Sequence, residues 1–177
     1  MLMACENALA LHKNGAWESI YQDLLDYDMY HLLLKGSKAS VLRLVNQYGS
    51  LPTEYLDWYQ CCSGGLLFDT EMCSMQDHDV EVDFRPETFA ECNKPDGSDF
   101  PFAEYLVFAK TVTGDLLCFK RTSNREYEQT IYQWDQENQS FEFEWTSFYE
   151  WMRECIDDAI LSISEDELEP IPMKLED

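Results

Sequence analysis

Apolar residues recur at helical spacing through the first third of the chain. Trp17, Ile20, Tyr21, Leu24, Leu25, Leu32 and Leu33 fall near one face, interrupted by Asp28, and predict a helix over 16–35 that Gly36 ends. Ser40 is placed to cap a second, shorter helix carrying Val41, Leu44, Val45 and Tyr48, with Gly49 as its stop. Leu51-Pro52-Thr53-Glu54-Tyr55-Leu56 opens a third. Proline suits a first helical turn, where its missing N–H costs nothing. Tyr55, Leu56, Tyr59 and Cys62 continue the stripe, and Gly64-Gly65 closes it.

After Gly65 the period changes. Leu66-Leu67-Phe68 begins an extended run, and Asp79-Val80-Glu81-Val82-Asp83-Phe84 alternates acidic with apolar residues, as a strand with one wet face does. Pro86 to Pro101 reads as an irregular loop with a short helical turn. Tyr105–Ala109, a turn at Thr113-Gly114-Asp115 and Leu116–Phe119 form the clearest hairpin. Thr130–Trp134 is a further strand, and Asp135–Ser140 turns into the alternating Phe141-Glu142-Phe143-Glu144-Trp145. Ser147-Phe148-Tyr149-Glu150 has capping-box spacing. Phe148, Trp151, Met152, Cys155, Ile156, Ala159, Ile160 and Ile163 then make one apolar face that should pack on the sheet. Helices, then a run of strands, then a helix predict an α+β fold: a mainly antiparallel sheet packed with N-terminal helices and a C-terminal helix.

Length and composition narrow the class. A chain of 177 residues, 45% hydrophobic and 14% aromatic, can bury a single substantial core. No apolar run approaches the roughly 18 residues of a membrane-spanning helix, and the amino-terminal residues lack the pattern of a signal peptide. A cytoplasmic protein is expected. Seven cysteines, an odd number that includes the adjacent Cys61-Cys62, fit reduced thiols better than a disulfide framework.

The net charge of −23 is distributed unevenly. Residues 1–50 carry five acidic and four basic side chains, and residues 51–177 carry thirty and eight. Such a surface repels nucleic acid and anionic membranes and attracts a basic partner. An ordinary soluble acidic protein has the same composition.

Catalytic chemistry finds little support. His12, His31 and His78 stand alone, and G-x-S-x-G, phosphate-loop and dinucleotide-binding patterns are missing, as is any C-x-x-C or H-x-x-x-H pair. Asp77-His78-Asp79 could supply metal ligands but reads better as the exposed entry to a strand. Asp135-Gln136-Glu137-Asn138-Gln139 lacks the glycine and terminal glutamate of a calcium loop. No catalytic residue, metal site or cofactor is expected. The candidate partner-binding surface is an acidic ladder. On a strand, Asp79, Glu81 and Asp83 share one face at about 7 Å intervals, and Asp77, Glu142 and Glu144 extend the patch if the strands are neighbours. A solvated polar face is the plainer explanation.

The order of several short motifs resembles the SUKH superfamily, which includes a yeast cell-wall synthesis regulator and many bacterial toxin-immunity proteins. The residues concerned are Leu51-Pro52 with Tyr55, Ser63-Gly64-Gly65, Phe108-Ala109 followed by Gly114-Asp115 and Cys118-Phe119, Ile131-Tyr132-Gln133-Trp134-Asp135, and Ser147-Phe148 leading into Trp151-Met152. Ser63 stands where asparagine is usual, and the segment after Asp69 is long and acidic. The similarity covers roughly residues 40–161. A single domain is expected over 1–163, in which 1–39 is a helical extension atypical of the family, and the prolines and acids of 164–177, with few core candidates, predict an acidic mobile tail. The resemblance implies an α+β fold, no cofactor and a non-enzymatic protein-binding role, with a basic toxin domain as the partner of an immunity protein. A regulatory or scaffold module is the alternative, and an enzyme with a dispersed site is a third reading.

Thiol titration of the denatured protein without reductant should report nearly all seven cysteines. Recovery of only a minority would show that disulfides form.

Overall fold

The computed structural model describes residues 17–27, 33–75, 86–95, 97–122 and 125–166. In chain order they form α1 (Glu18–Asp26), β1 (Leu33–Lys35), α2 (Lys38–Tyr48), α3 (Thr53–Cys61), β2 (Cys62–Leu67), β3 (Thr70–Met72), α4 (Phe89–Cys92), β4 (Tyr105–Thr111), β5 (Leu116–Arg121), β6 (Tyr127–Asp135), β7 (Ser140–Trp145) and α5 (Phe148–Asp166). The strands make one seven-stranded sheet in sequence order, every neighbour antiparallel. This is the α+β architecture expected from the order of periodicities. No helix among the described residues is long and apolar enough to cross a membrane.

The helical stripe expected over 16–35 belongs to two elements. Ile20, Tyr21 and Leu24 are the buried face of α1, which ends at Asp26. Leu33–Lys35 is instead extended and pairs with β2, Leu33 opposite Gly65 and Lys35 opposite Cys62. The Gly36 N–H donates to Cys61 O at 2.7 Å and the Ser63 hydroxyl to Lys35 O at 3.0 Å, so sheet pairing overrides the leucine periodicity. α2 is capped by Ser37, not Ser40: Ser37 Oγ accepts the Ser40 N–H at 3.1 Å, and Ser40 sits buried one turn inside. Gly49 ends α2 with φ +116°, and a Cβ there would lie 2.1 Å from Arg125 O. That closeness lets Ser50 exchange backbone hydrogen bonds with Arg125 and Tyr127 at the start of β6.

Pro52 is the N-cap of α3, and the helix ends at Cys61. Gly64 and Gly65 are therefore strand residues of β2 and do not terminate the helix. Gly64, at φ +116°, lies where a Cβ would come within 3.0 Å of the Ser74 Cβ, so close packing of β2 on the strand beside it excludes a side chain. The expected loop after Pro86 contains α4, held by a complete capping box between Thr88 and Glu91. Asn93, at its end, bonds both Val107 N and Val107 O at 2.8 Å and so covers the part of β4 that β3 does not reach. The 105–119 hairpin and the strands β6 and β7 form where the sequence places them, but Ser140 to Glu144 of β7 are all exposed, so the phenylalanine–glutamate alternation does not divide a buried from a wet face there.

α5 buries Phe148, Trp151, Met152 and Ile156, while Ile163, at its far end, is exposed. Ser147 Oγ accepts the Glu150 N–H at 3.2 Å, but the Glu150 carboxylate returns to Thr146 N at 2.7 Å, one residue before the expected partner. A second acceptor comes from α3: Glu54 Oε2 takes the Tyr149 N–H at 2.9 Å. The acidic stretch beyond Asp166 and residues 1–16 lie outside the described residues.

The core lies between α1, α3 and α5 and one face of the sheet. Tyr55, Trp58, Phe108, Phe119 and Phe148 are fully buried there, and Cys61, Cys62, Cys73, Cys92 and Cys118 are buried residues of the same core cluster. The Tyr55 hydroxyl is enclosed with no hydrogen-bond partner. A buried hydroxyl without a partner costs about 1–3 kcal/mol of desolvation. Tyr55→Phe should therefore raise stability, by about 1 kcal/mol, in chemical denaturation. A clear fall would show that this hydroxyl is bonded in solution.

Candidate functional site

Of the acidic ladder expected to bind a partner, Asp77, Asp79, Glu81 and Asp83 lie outside the described residues. Glu142 and Glu144 are placed, both exposed on β7. Asn138 Nδ2 donates to Glu142 Oε1 at 3.0 Å, and Glu144 stands opposite Tyr132 of β6.

A second acidic feature arises only in three dimensions. α5 crosses the sheet, and beside it the β2–β3 and β4–β5 turns close one end of a groove of about 400 Å³. Asp69 and Asp115 enter from the turns, Glu154 and Asp158 from α5, and Leu117, Trp145 and Trp151 supply apolar lining. The two turns are fixed to each other by the Val112 N–H, which donates to Asp69 O at 2.8 Å. Asp115 is held by Gln133 Nε2 at 3.0 Å and by the Gln136 N–H at 3.3 Å. Trp145 Nε1 donates to Glu154 Oε2 at 2.7 Å, which orients a ring and a carboxylate together on the groove wall.

Sequence periodicity shows Glu154 and Asp158 as neighbours one helical turn apart. Their meeting with Asp69 and Asp115 depends on strand order, which periodicity does not encode. The cations of the described residues lie elsewhere. Arg153, the single basic residue of α5, bonds Asp23 of α1 and Asp157, each at 2.6 Å. Arg121 bonds the Tyr127 hydroxyl and Arg125 bonds Gln47 O, both at the opposite end of β5 and β6. Among the described residues no Lys or Arg pairs with Asp69, Asp115, Glu154 or Asp158.

Cys155 also lines the groove. Burial first, and then the charges of Asp69, Glu154 and Asp158, push its thiol up to about 12. A thiol held protonated at neutral pH is a poor nucleophile. Among the described residues no group of three or more His, Cys, Asp or Glu side chains is arranged to hold a metal ion. The groove sets carboxylates beside the half-buried Trp145 indole, a combination with the chemistry to hold a cation.

The chain matches, over residues 48–152, the family model described as SUKH_6: SMI1-KNR4 cell-wall. That span is more than half of the chain and runs from the end of α2 into the first turn of α5. It contains Asp69, Asp115, Glu142, Glu144, Trp145 and Trp151 and stops before Glu154 and Asp158. No curated protein and no solved structure matches the chain.

The raised Cys155 thiol gives a pH signature. Its alkylation by iodoacetamide, followed by peptide mass spectrometry, should be slow at neutral pH and keep accelerating toward pH about 12. The proton held in the folded state adds stability below the ordinary thiol value of 9.0, and that contribution is lost as pH rises from there toward about 12. A labelling rate that levels off just above 9.0 would show an unperturbed thiol.

Proposed function

The chain belongs to the SUKH family, and from that premise we propose that it is a non-enzymatic protein-binding domain that acts as an immunity protein, neutralising a polymorphic toxin by binding its basic toxin domain. The observation that carries this reading is the groove beside α5, where four carboxylates converge beside the half-buried Trp145 ring with no basic residue among the described lining residues. An uncompensated acidic groove in a chain of net charge −23 draws a cationic surface by long-range attraction, and aromatic groups then set the lifetime of the complex. The regulatory reading has its own support, because the description of the matching family refers to the cell wall. The same surface would then serve a scaffold partner.

An immunity protein is expected to be encoded beside its toxin, so the direct test co-expresses the chain with the toxic domain of a neighbouring gene. Restored growth and a stable complex support immunity. Unrelieved toxicity and no complex would overturn it in favour of the regulatory role. In the complex, Asp115→Asn, Glu154→Gln and Asp158→Asn together should slow association about tenfold at low salt and flatten its salt dependence, with dissociation changed less. Association as fast and as salt-sensitive as wild type would remove the groove from the interface.

A further inference from the structure

Among the described residues β7 is the last strand of the sheet and pairs on one side only, with β6. Every residue from Ser140 to Glu144 is exposed, so the outer backbone N–H and C=O groups of this strand face solvent. Natural sheet edges are usually blunted by lysine, proline or a cover of other chain. This one instead carries Phe141 and Phe143, exposed by 37% and 58%.

Beside the edge, on the face opposite α5, there is a hollow of about 370 Å³ lined by Tyr105, Tyr132 and Phe141 together with Glu142, Phe143 and Glu144. The Phe141 ring lies 4.6 Å from that of Tyr105 and 5.9 Å from that of Tyr132, so the three rings form one continuous wall. The Tyr132 hydroxyl donates to Glu128 at 2.9 Å, which adds a further carboxylate at the margin. Aromatic faces beside carboxylates suit a guanidinium or ammonium group, through cation–π contact and a charged hydrogen bond.

We infer that β7 receives an extended, arginine- or lysine-bearing segment of the partner protein, which adds to the sheet as a further strand and seats a basic side chain in the Tyr105–Tyr132–Phe141 hollow. The inference rests on the reading that the chain binds a basic protein, and it supplies the place and the mode. Backbone pairing along the edge gives affinity, and the hollow selects the side chain at alternate positions, about 7 Å apart. A second copy of this chain is the wrong occupant. Two β7 strands laid together would bring Glu142 and Glu144 of one copy against those of the other, and like charges across a ladder are destabilising.

The test uses the isotope-labelled protein and three synthetic probes: a hexapeptide alternating arginine with threonine, the same peptide N-methylated at every residue, and a glutamate-for-arginine version. The arginine peptide should shift the amide resonances of β7 and slow their hydrogen exchange. The N-methylated and glutamate peptides should bind at least about tenfold more weakly, as should the arginine peptide to the Glu142→Gln, Glu144→Gln variant. Equal binding of the N-methylated peptide would overturn strand addition, leaving charge capture alone. Shifts confined to the Asp115–Glu154 groove would overturn the site while the protein-binding reading stands. No response at millimolar peptide, or self-association that protects β7 in the free protein, would also overturn the inference. The growth assay with the neighbouring toxin fails or succeeds independently of these outcomes.

Discussion

Phe148 is where the elements of the fold are joined. Its ring lies 5.0 Å from Tyr55 and 6.3 Å from Trp58 of α3, 5.8 Å from Phe108 of β4, 5.9 Å from Trp17 at the head of α1 and 5.3 Å from Trp151 on its own helix. The Tyr55 contact is edge-to-face at 78° and the Phe108 contact at 70°, orientations that set the positive edge of one ring against the negative face of another. Each such pair contributes about 0.5–1.5 kcal/mol beyond the area it buries. Moving any one of the three helices would break several at once. The Glu54 cap on Tyr149 N strengthens the joint at the same point, because it anchors the first turn of α5 to α3 through a charged acceptor.

The position of α5 decides where charge accumulates. With its first turn fixed at Phe148, the helix runs with Arg153 toward α1, and that guanidinium is engaged by Asp23 and Asp157. The helix has no other cation to place beside Glu154 and Asp158. The two turns that meet it bring Asp69 and Asp115, again without a basic partner among the described residues. Concentrating like charge in this way costs stability. The aromatic core, with no carboxylate or amine among the described buried residues, offsets that cost.

What could be read from the sequence was local. The β4–β5 hairpin, the strands β6 and β7 and the apolar face of α5 each depend on residues a few positions apart, and each formed where the pattern placed it. The helix caps at Ser37 and Thr146 miss the expected residue by local geometry, and the larger misreadings come from pairing between distant segments. Leu33–Lys35 continues a helical stripe on paper, yet Leu33 pairs with Gly65 and Lys35 with Cys62 in β2, and the sheet outweighs the period. Gly64-Gly65 looks like a helix stop, but close approach to Ser74, two residues past the end of β3, accounts for Gly64. The groove escaped detection for the same reason, since Asp69, Asp115 and Glu154 become neighbours only through strand order. Glu142 and Glu144 are exposed as the sequence suggests, though Phe141 and Phe143 between them are exposed as well, whereas Asp77, Asp79, Glu81 and Asp83 fall outside the described residues.

Strand geometry ties the two acidic hollows together. Successive residues of β7 point to opposite sides of the sheet. Trp145, opposite Ile131, faces α5 and bonds Glu154, while Glu144, opposite Tyr132, faces the other way. An irregularity in the β6–β7 register at Gln133/Trp134 lets Phe141 join Tyr132 and Tyr105, with Phe143 left beside Trp145. The free edge therefore runs between a tryptophan-lined acidic groove on one face and a tyrosine-lined acidic hollow on the other. An extended basic chain along this edge would direct alternate side chains toward each. Aromatic walls limit the entropy lost on contact because their rings have few rotamers, and the surrounding carboxylates act before contact, at a distance. In the proposed complex, capture and retention would fall to different residues of one strand and its immediate neighbours, so that either could be changed by substitution without disturbing the packing around Phe148.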